Sequence, residues 1–277
     1  MAPVVAACMA AVAVLAICLV FIMRHEAGGA VLETIRLTDG DGGLRIAQLS
    51  DIHIKYNQIP LSKVISLFRE ASPHIVALTG DYIDAPDDAG PFLEWIGALI
   101  DAAGGATFYL CFGNHDEKAF TRSPRLKRDF IKNLKKLGVY ILDNRTLSFS
   151  HNGGLYAITG FSDYYSKPYV GADRALKGAP GNVRYHIGIS HNPDIAMELA
   201  GPRPDLLLLG HFHGGQIWLP FHLEYICLRK EILCKRGFRR GLYGYGGRHI
   251  YISRGLGCVL FPLRLGSRPE ITLFIVL

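Results

Sequence analysis

Leu78-Thr79-Gly80-Asp81-Tyr82-Ile83-Asp84 continues an apolar run, Ile75-Val76-Ala77, and ends it with a glycine and two carboxylates three residues apart. A short apolar run that stops at Gly-Asp reads as a buried strand delivering Asp81 to the space beyond its carboxyl end. Four further blocks repeat the design: Leu49-Ser50-Asp51-Ile52-His53 upstream, then Gly113-Asn114-His115-Asp116, Ser190-His191-Asn192-Pro193-Asp194 and Gly210-His211-Phe212-His213-Gly214-Gly215-Gln216. Taken singly, each has an ordinary explanation, because Gly-Asp is a common turn and a lone histidine is usually a satisfied core or surface group. His25, His74, His151, His186, His222 and His249 stand outside the blocks and receive that ordinary explanation. The weight lies in five blocks arriving in one order at the ends of apolar strands.

Outward from this stretch, short apolar runs alternate with amphipathic segments, the pattern of strands crossing over through helices. Strands are predicted over 44–49, 75–78, 107–112, 140–142, 146–151, 155–159, 186–190, 206–209, 249–252 and 270–276, and helices over 61–71, 92–103, 125–137 and 193–200. Asn152-Gly153-Gly154 reads as a tight hairpin turn. Open α/β sheets place their chemistry in the crevice beyond the carboxyl ends of the strands, which is where the blocks fall.

With 277 residues, 49% hydrophobic and 19% charged, the chain can bury one large core. The net charge of +6 is spread out, with no basic tract interleaved with aromatics, so nucleic acid is excluded as the expected partner. Six cysteines form no CxxC pair and read as free thiols. Residues 4–23 carry no charge, and 20 residues at about 1.5 Å each span the ~30 Å hydrocarbon core of a bilayer. The expected layout is a transmembrane anchor over 1–24, a linker over 25–43 and one catalytic domain over 44–277. Arg24, Arg36 and Arg45 follow the apolar stretch, and positive charge on that flank predicts a single pass through the inner membrane with the domain in the cytoplasm. Farther along, Ile217-Trp218-Leu219-Pro220-Phe221 precedes Arg229, Lys230, Lys235, Arg236, Arg239 and Arg240; such a loop either rests on a membrane or is an ordinary surface loop with a buried Trp218.

Hydrolysing a phosphate ester or anhydride at neutral pH needs a hydroxide nucleophile and neutralisation of charge on the attacking and leaving oxygens, and two divalent ions supply both. Such a pair needs a bridging carboxylate, the role expected of Asp81, and a mixed imidazole and oxygen shell suited to Mn²⁺, Fe or Zn²⁺. The period-two alternation of a strand puts Asp51 and His53 on one side, and His211 and His213 likewise, with glycines at 210, 214 and 215 allowing the backbone to turn.

Together, Asp51-x-His53, Gly80-Asp81, Gly113-Asn114-His115-Asp116, His191 and Gly210-His211-Phe212-His213 resemble the calcineurin-like metallophosphoesterase superfamily over about residues 44–277. The resemblance implies an α/β fold, a four-layer αββα sandwich, here preceded by one transmembrane helix. It implies one metal on Asp51, His53, Asp81 and His213, and a second on Asp81, Asn114, His191 and His211. It makes His115 the residue that meets substrate phosphate and protonates the leaving oxygen, Asp84 the carboxylate that orients His115, and Asp116 an acceptor that shapes the turn. Within the superfamily, the apolar N-terminal stretch, Ser190-His191-Asn192-Pro193-Asp194 and the ending that begins at Arg264 resemble membrane-associated bacterial phosphodiesterases, a group that includes the chlamydial-type UDP-2,3-diacylglucosamine pyrophosphatase of lipid A synthesis. Asn114, His115 and Arg264 are the expected substrate contacts, and a phosphorylated, lipid-linked small molecule the expected substrate. Lys55 and the basic stretch 222–240 depart from that group's pattern and bear on substrate, leaving the metal set intact. A broader phosphodiesterase is the alternative. A non-catalytic scaffold is disfavoured because every candidate ligand is present, and a protein phosphatase because no Arg-Gly follows Asp84.

Overall fold

The computed structural model describes residues 1–38, 43–166, 171–199, 201 and 204–276. In chain order its elements are α1 (Ala2–Gly28), β1 (Val31–Arg36), β2 (Leu44–Leu49), α2 (Leu61–Ala71), β3 (Ile75–Thr79), α3 (Ala89–Ala102), β4 (Thr107–Cys111), α4 (Asn114–Arg122), α5 (Pro124–Lys136), β5 (Tyr140–Ile141), β6 (Arg145–His151) and β7 (Gly154–Gly160). Then follow α6 (Ala172–Leu176), β8 (Tyr185–Ile189), β9 (Leu206–Leu209), α7 (Leu223–Leu228), α8 (Ile232–Lys235), β10 (Gly241–Tyr245), β11 (Arg248–Ile252) and β12 (Glu270–Val276).

Two six-stranded sheets stack face to face, one in the order β1-β12-β2-β3-β4-β5 and the other β10-β11-β9-β8-β7-β6. β2, β3, β4 and β5 run parallel, as do β7, β8, β9 and β11, with antiparallel pairs at β12–β2, β6–β7 and β10–β11. Strands buried on both faces must be apolar throughout, which is why Ile75–Thr79 and Leu206–Leu209 lack an alternating pattern. Ile46, Ala77, Tyr109 and Phe274 of the first sheet meet Ile158, Ile187, Leu208 and Tyr251 of the second in the layer between them.

The outer face of the first sheet is covered by α2, α3 and α5, whose buried Val64, Phe68, Phe92, Ile96, Phe130 and Leu134 join Val76, Leu78 and Leu110. In α2 the buried positions, Val64, Leu67, Phe68 and Ala71, fall on one helical face, and the helix stops at Ser72 in a left-handed conformation. The outer face of the second sheet carries α6, α8 and the short 3-10 turn Pro193–Met197, through Ala175, Leu233 and Ile195. The four expected layers are all there. The β6–β7 hairpin turns at Asn152 and Gly153, both at positive φ, as a two-residue turn of that hand requires.

Three expectations are corrected. The predicted helix over 193–200 is only the turn Pro193–Met197. The predicted linker over 25–43 contains β1, which pairs with β12 from Val31 to Arg36 and forms an edge of the first sheet; its half-exposed, partly charged sequence hid it. Residues 39–42 of that stretch lie outside the described residues. The helix expected to end at residue 24 likewise runs on, to Gly28. α1 is long and apolar enough to cross a membrane, and only Met23 and Ala27 in it are buried. All six cysteines are free.

Candidate metal centre

β2, β3 and β4 of one sheet and β8 and β9 of the other end at a common edge, and each of the five blocks begins there. Hydrogen bonds link neighbouring strands and the two sheets at this edge. Gln48 Nε2 donates to Thr79 Oγ1 at 3.0 Å and to Leu209 O at 2.9 Å, while the His211 N–H donates to the Asp51 carboxylate at 3.0 Å.

The side chains gather into two adjacent clusters, Asp51 with His53 and His213, and Asp81 with His191 and His211. His213 Nε2 lies 3.2 Å from Asp51 Oδ1, and the His53 and His213 rings stack with centroids 5.0 Å apart. In the second cluster, His191 Nε2 lies 3.0 Å from Asp81 Oδ2 and 3.1 Å from His211 Nδ1. Asp81 Oδ2 also lies 3.6 Å from His53 Nε2, so one carboxylate oxygen faces both clusters.

Three of the four rings are held from behind. His191 Nδ1 meets Thr79 O at 2.9 Å, His53 Nδ1 meets Asp84 at 3.0 Å, and His211 Nε2 meets Glu231 Oε1 at 2.9 Å. A carbonyl or carboxylate at one ring nitrogen fixes the tautomer and turns the other nitrogen's lone pair inward. Burial alone would raise the Glu231 carboxyl, but its bond to His211 outweighs burial and holds it down at about 2; burial keeps the His211 imidazole below its ordinary value. Burial also opposes charge on His191, yet Asp81 beside it lifts that ring to about 10 and is itself held well below the usual carboxylate range.

The donor set fits metal ions. Buried His53 Nε2, His213 Nδ1 and Asn114 Oδ1 have no hydrogen-bond partner among the described residues, and an unpaired buried polar atom is costly unless something else satisfies it. Asp51, His53, Asp81, His211 and His213 all adopt positive φ, a conformation that costs a non-glycine residue on the order of 1 kcal/mol or more and concentrates at functional sites. Gly113 and Gly210 allow this crowding, since a Cβ at either would collide with the carboxylate of Asp81 or Asp51. No sequence signal announces the strained conformations.

Asn114 and His115 open α4, so the first turn of the helix, whose N–H groups lack partners within the helix, stands at the site. His115 N donates to Asp81 Oδ1 at 2.8 Å, and its ring Nδ1 lies 2.7 Å from Asp84 Oδ1. Asp84 thus touches both His53 and His115. Asp116 accepts from the N–H groups of Asp81, Tyr82, Ile83 and Gly113 at 2.9 to 3.1 Å and shapes the turn that carries Asp81.

Two cavities adjoin the clusters. One of about 470 Å³ is lined by Asp81, His115, His211 and His213 on its inner side and by Leu228, Leu260 and Phe261 farther out. The other, about 340 Å³, is lined by Asn114, Asp163, His211, Lys230 and Glu231. A larger cavity of about 920 Å³ lies where α1 meets the domain and includes none of the candidate ligands. Arg264 corrects an expectation: it lines none of these cavities and is fully buried, its guanidinium donating to the carbonyls of His213, Ser267, Gly255 and Gly257. It pins the chain around His213, where it has no face left for substrate. Glu231, which the sequence did not single out, reaches His211 from 20 residues farther along the chain, beyond α7.

Two mixed sheets that pool carboxylates and imidazoles into twin clusters at one edge define a metal-dependent phosphoester hydrolase. The chain belongs to the calcineurin-like phosphoesterase family, whose model matches residues 44–215. Phosphodiesterase YaeI of Escherichia coli is 30% identical over 241 residues, covering 85% of this chain and 83% of that protein. UDP-2,3-diacylglucosamine pyrophosphatase LpxG of Chlamydia trachomatis is 27% identical over 284 residues, covering 83% of this chain and 83% of that protein. A putative 5'-nucleotidase from Staphylococcus aureus shares the fold, with a TM-score of 0.51 and 14% identity over 85% of this chain and 54% of its own.

Proposed function

We propose that this chain is a membrane-anchored hydrolase with two divalent cations, one held by Asp51, His53, Asp81 and His213 and the other by Asp81, Asn114, His191 and His211. The observation that carries this reading is Asp81 Oδ2, which lies within 3.6 Å of His53 Nε2 and 3.0 Å of His191 Nε2 and so can serve both cations. The mixed nitrogen and oxygen shell suits Mn²⁺ best, with Fe or Zn²⁺ as alternatives. Bound there, the cations supply Lewis-acid charge and favour ionisation of a water at neutral pH.

His115 is the general acid. Its Nδ1–H is taken up by Asp84, which leaves the proton on Nε2 as the one to give to a leaving oxygen. Burial opposes a charged ring, but the hydrogen bond to Asp84 and the negative charges of Asp81 and Asp84 outweigh it and raise the His115 pKa. Asp84 stays ionised, because its bonds from His115 and His53 overcome its own burial. Asn114 and the first turn of α4 position substrate phosphate.

The substrate that fits best is UDP-2,3-diacylglucosamine, cleaved by water at the diphosphate to give a lipid phosphate, lipid X, and UMP, a step of lipid A synthesis. Supporting this are the likeness to the chlamydial pyrophosphatase and the apolar outer wall of the 470 Å³ cavity. α1 is a single pass through the inner membrane, with the catalytic domain on the cytoplasmic side where its flanking arginines lie. A broader phosphodiesterase, acting on other phosphoesters or phospholipids, is the second reading; the likeness to YaeI, named only as a phosphodiesterase, favours it.

Full-length protein in detergent with Mn²⁺, given UDP-2,3-diacylglucosamine and, separately, bis-p-nitrophenyl phosphate, tests both. Release of UMP supports the first, and cleavage of the diester alone supports the second. Cleavage of neither by metal-loaded protein would remove the hydrolase reading.

A further inference from the structure

α1 is clamped to the domain it precedes. Met23 O accepts from the Arg264 N–H at 3.1 Å, the Glu26 carboxylate accepts from Gly266 N at 3.1 Å and Ser267 N at 2.7 Å, and Arg268 Nε donates to Gly29 O at 3.2 Å. The docking segment is in turn tied to the next loop, since Leu265 N donates to Gln216 O at 2.9 Å and Trp218 N to Leu265 O at 3.0 Å. Gln216 Nε2 continues the chain of contacts to Val259 O at 3.0 Å.

From this frame two segments project large apolar side chains into solvent: Phe221, 88% exposed, and Leu228, 76%, from the turn before α7 and the end of α7, and Leu260, 71%, and Phe261, 63%, from a loop. Phe221 and Leu260 are also held at positive φ, an unusual conformation for bulky residues. A group of exposed apolar residues on two neighbouring segments marks a contact surface, whereas scattered single ones would not. Leu228, Leu260 and Phe261 form the outer wall of the cavity whose inner wall is Asp81, His115, His211 and His213. The charges that follow α7 in sequence are one-sided in exposure: Lys230, Lys235 and Arg236 are exposed, while Glu224 within α7 and Glu231 are buried.

We propose that this rim seats in the headgroup and upper acyl region of the bilayer that α1 crosses, so that the mouth of the metal centre opens onto the membrane surface. The inference rests on the reading of α1 as a membrane span. A lipid surface fits better than a protein because the rim stands beside the loop segment to which the end of the apolar helix is bonded, and its flanking charges have the sign that anionic headgroups attract. Substrate would then reach the cations from within the membrane plane, with its phosphate leading.

The test uses full-length protein in nanodiscs of phosphatidylcholine and phosphatidylglycerol, with and without brominated acyl chains. The chain has two tryptophans, Trp95 in the core and the partly exposed Trp218, so a Trp218→Phe background leaves only a buried reporter. Phe261→Trp, with Phe221→Trp as a second rim probe should the first fail to fold, is compared with Tyr140→Trp on β5, at the far edge of the first sheet from β1. Brominated chains are expected to quench the added rim emission by about half, as burial at the acyl boundary requires, and to leave the Tyr140→Trp emission unchanged. Equal emission with and without bromine at both rim positions overturns the proposal. The readout needs no turnover: quenching without hydrolysis would leave this surface standing and defeat the proposed activity, and hydrolysis without quenching would do the reverse.

Discussion

The Nε2 atom of His211 lies 2.9 Å from Oε1 of Glu231, which sets the ring so that Nδ1 faces His191 and Asp81. Carboxylates behind ligating imidazoles tune metal affinity, typically by about 10- to 100-fold. Glu231→Gln is therefore expected to weaken cation binding by about 10-fold while leaving the fold intact, checked by chelator competition alongside thermal unfolding. Unchanged affinity would show that the contact is incidental.

Asp84→Asn removes the carboxylate that orients His115 and also holds the His53 ring, so the pH profile, beside the rate, is what reads its effect on His115. Loss of the carboxylate is expected to lower kcat by about 10²-fold or more. Asp84 raises the His115 pKa, so removing its charge lowers it. A general acid must be protonated, and the alkaline limb of the pH–rate profile should move to lower pH in the variant. A profile that keeps its alkaline limb would place the acid elsewhere.

Arg264 offers a test of structure against substrate contact. Arg264→Met strands several buried carbonyls that the guanidinium now satisfies, which is expected to cost roughly 3 kcal/mol and lower the Tm markedly. A raised KM with an unchanged Tm would instead restore the substrate role that its motif suggested.

Far from the metal centre, His74 Nδ1 accepts the Arg45 N–H at 3.0 Å, a bond only the neutral ring can make. Burial, then the charge of Arg45 and the neighbouring His151, lower its pKa from 6.5 to about 4. The folded value lies below the unfolded one, so its contribution is fully present above pH 6.5 and is lost as pH falls toward 4. Titration of the ring by NMR should give a midpoint well under 6.5; a midpoint at or above it would contradict the burial and the bond.

Much of the sandwich could be read from the chain because β2, β3, β4, β8 and β9 are buried apolar runs that end in Asp, His or Asn-His blocks, so periodicity and chemistry pointed to the same edge. β1 escaped because an edge strand of alternating exposure, Val31–Arg36, carries no such run, and its partner β12 lies more than 230 residues away. The positive φ of Asp51 and His213, and the reach of Glu231 to His211, arise from tertiary crowding and leave no trace in composition or spacing. Arg264 misled for a related reason: a basic residue in a family motif reads as an anion contact, and only coordinates reveal that backbone carbonyls already surround it.

Metal analysis of active full-length protein by inductively coupled plasma mass spectrometry, beside Asp81→Asn, is the most direct measurement. Two transition-metal ions per chain are expected, with binding of both weakened and hydrolysis lost when the shared carboxylate is removed. Active protein without bound metal, or an Asp81→Asn protein that keeps both ions and full activity, would contradict the shared site.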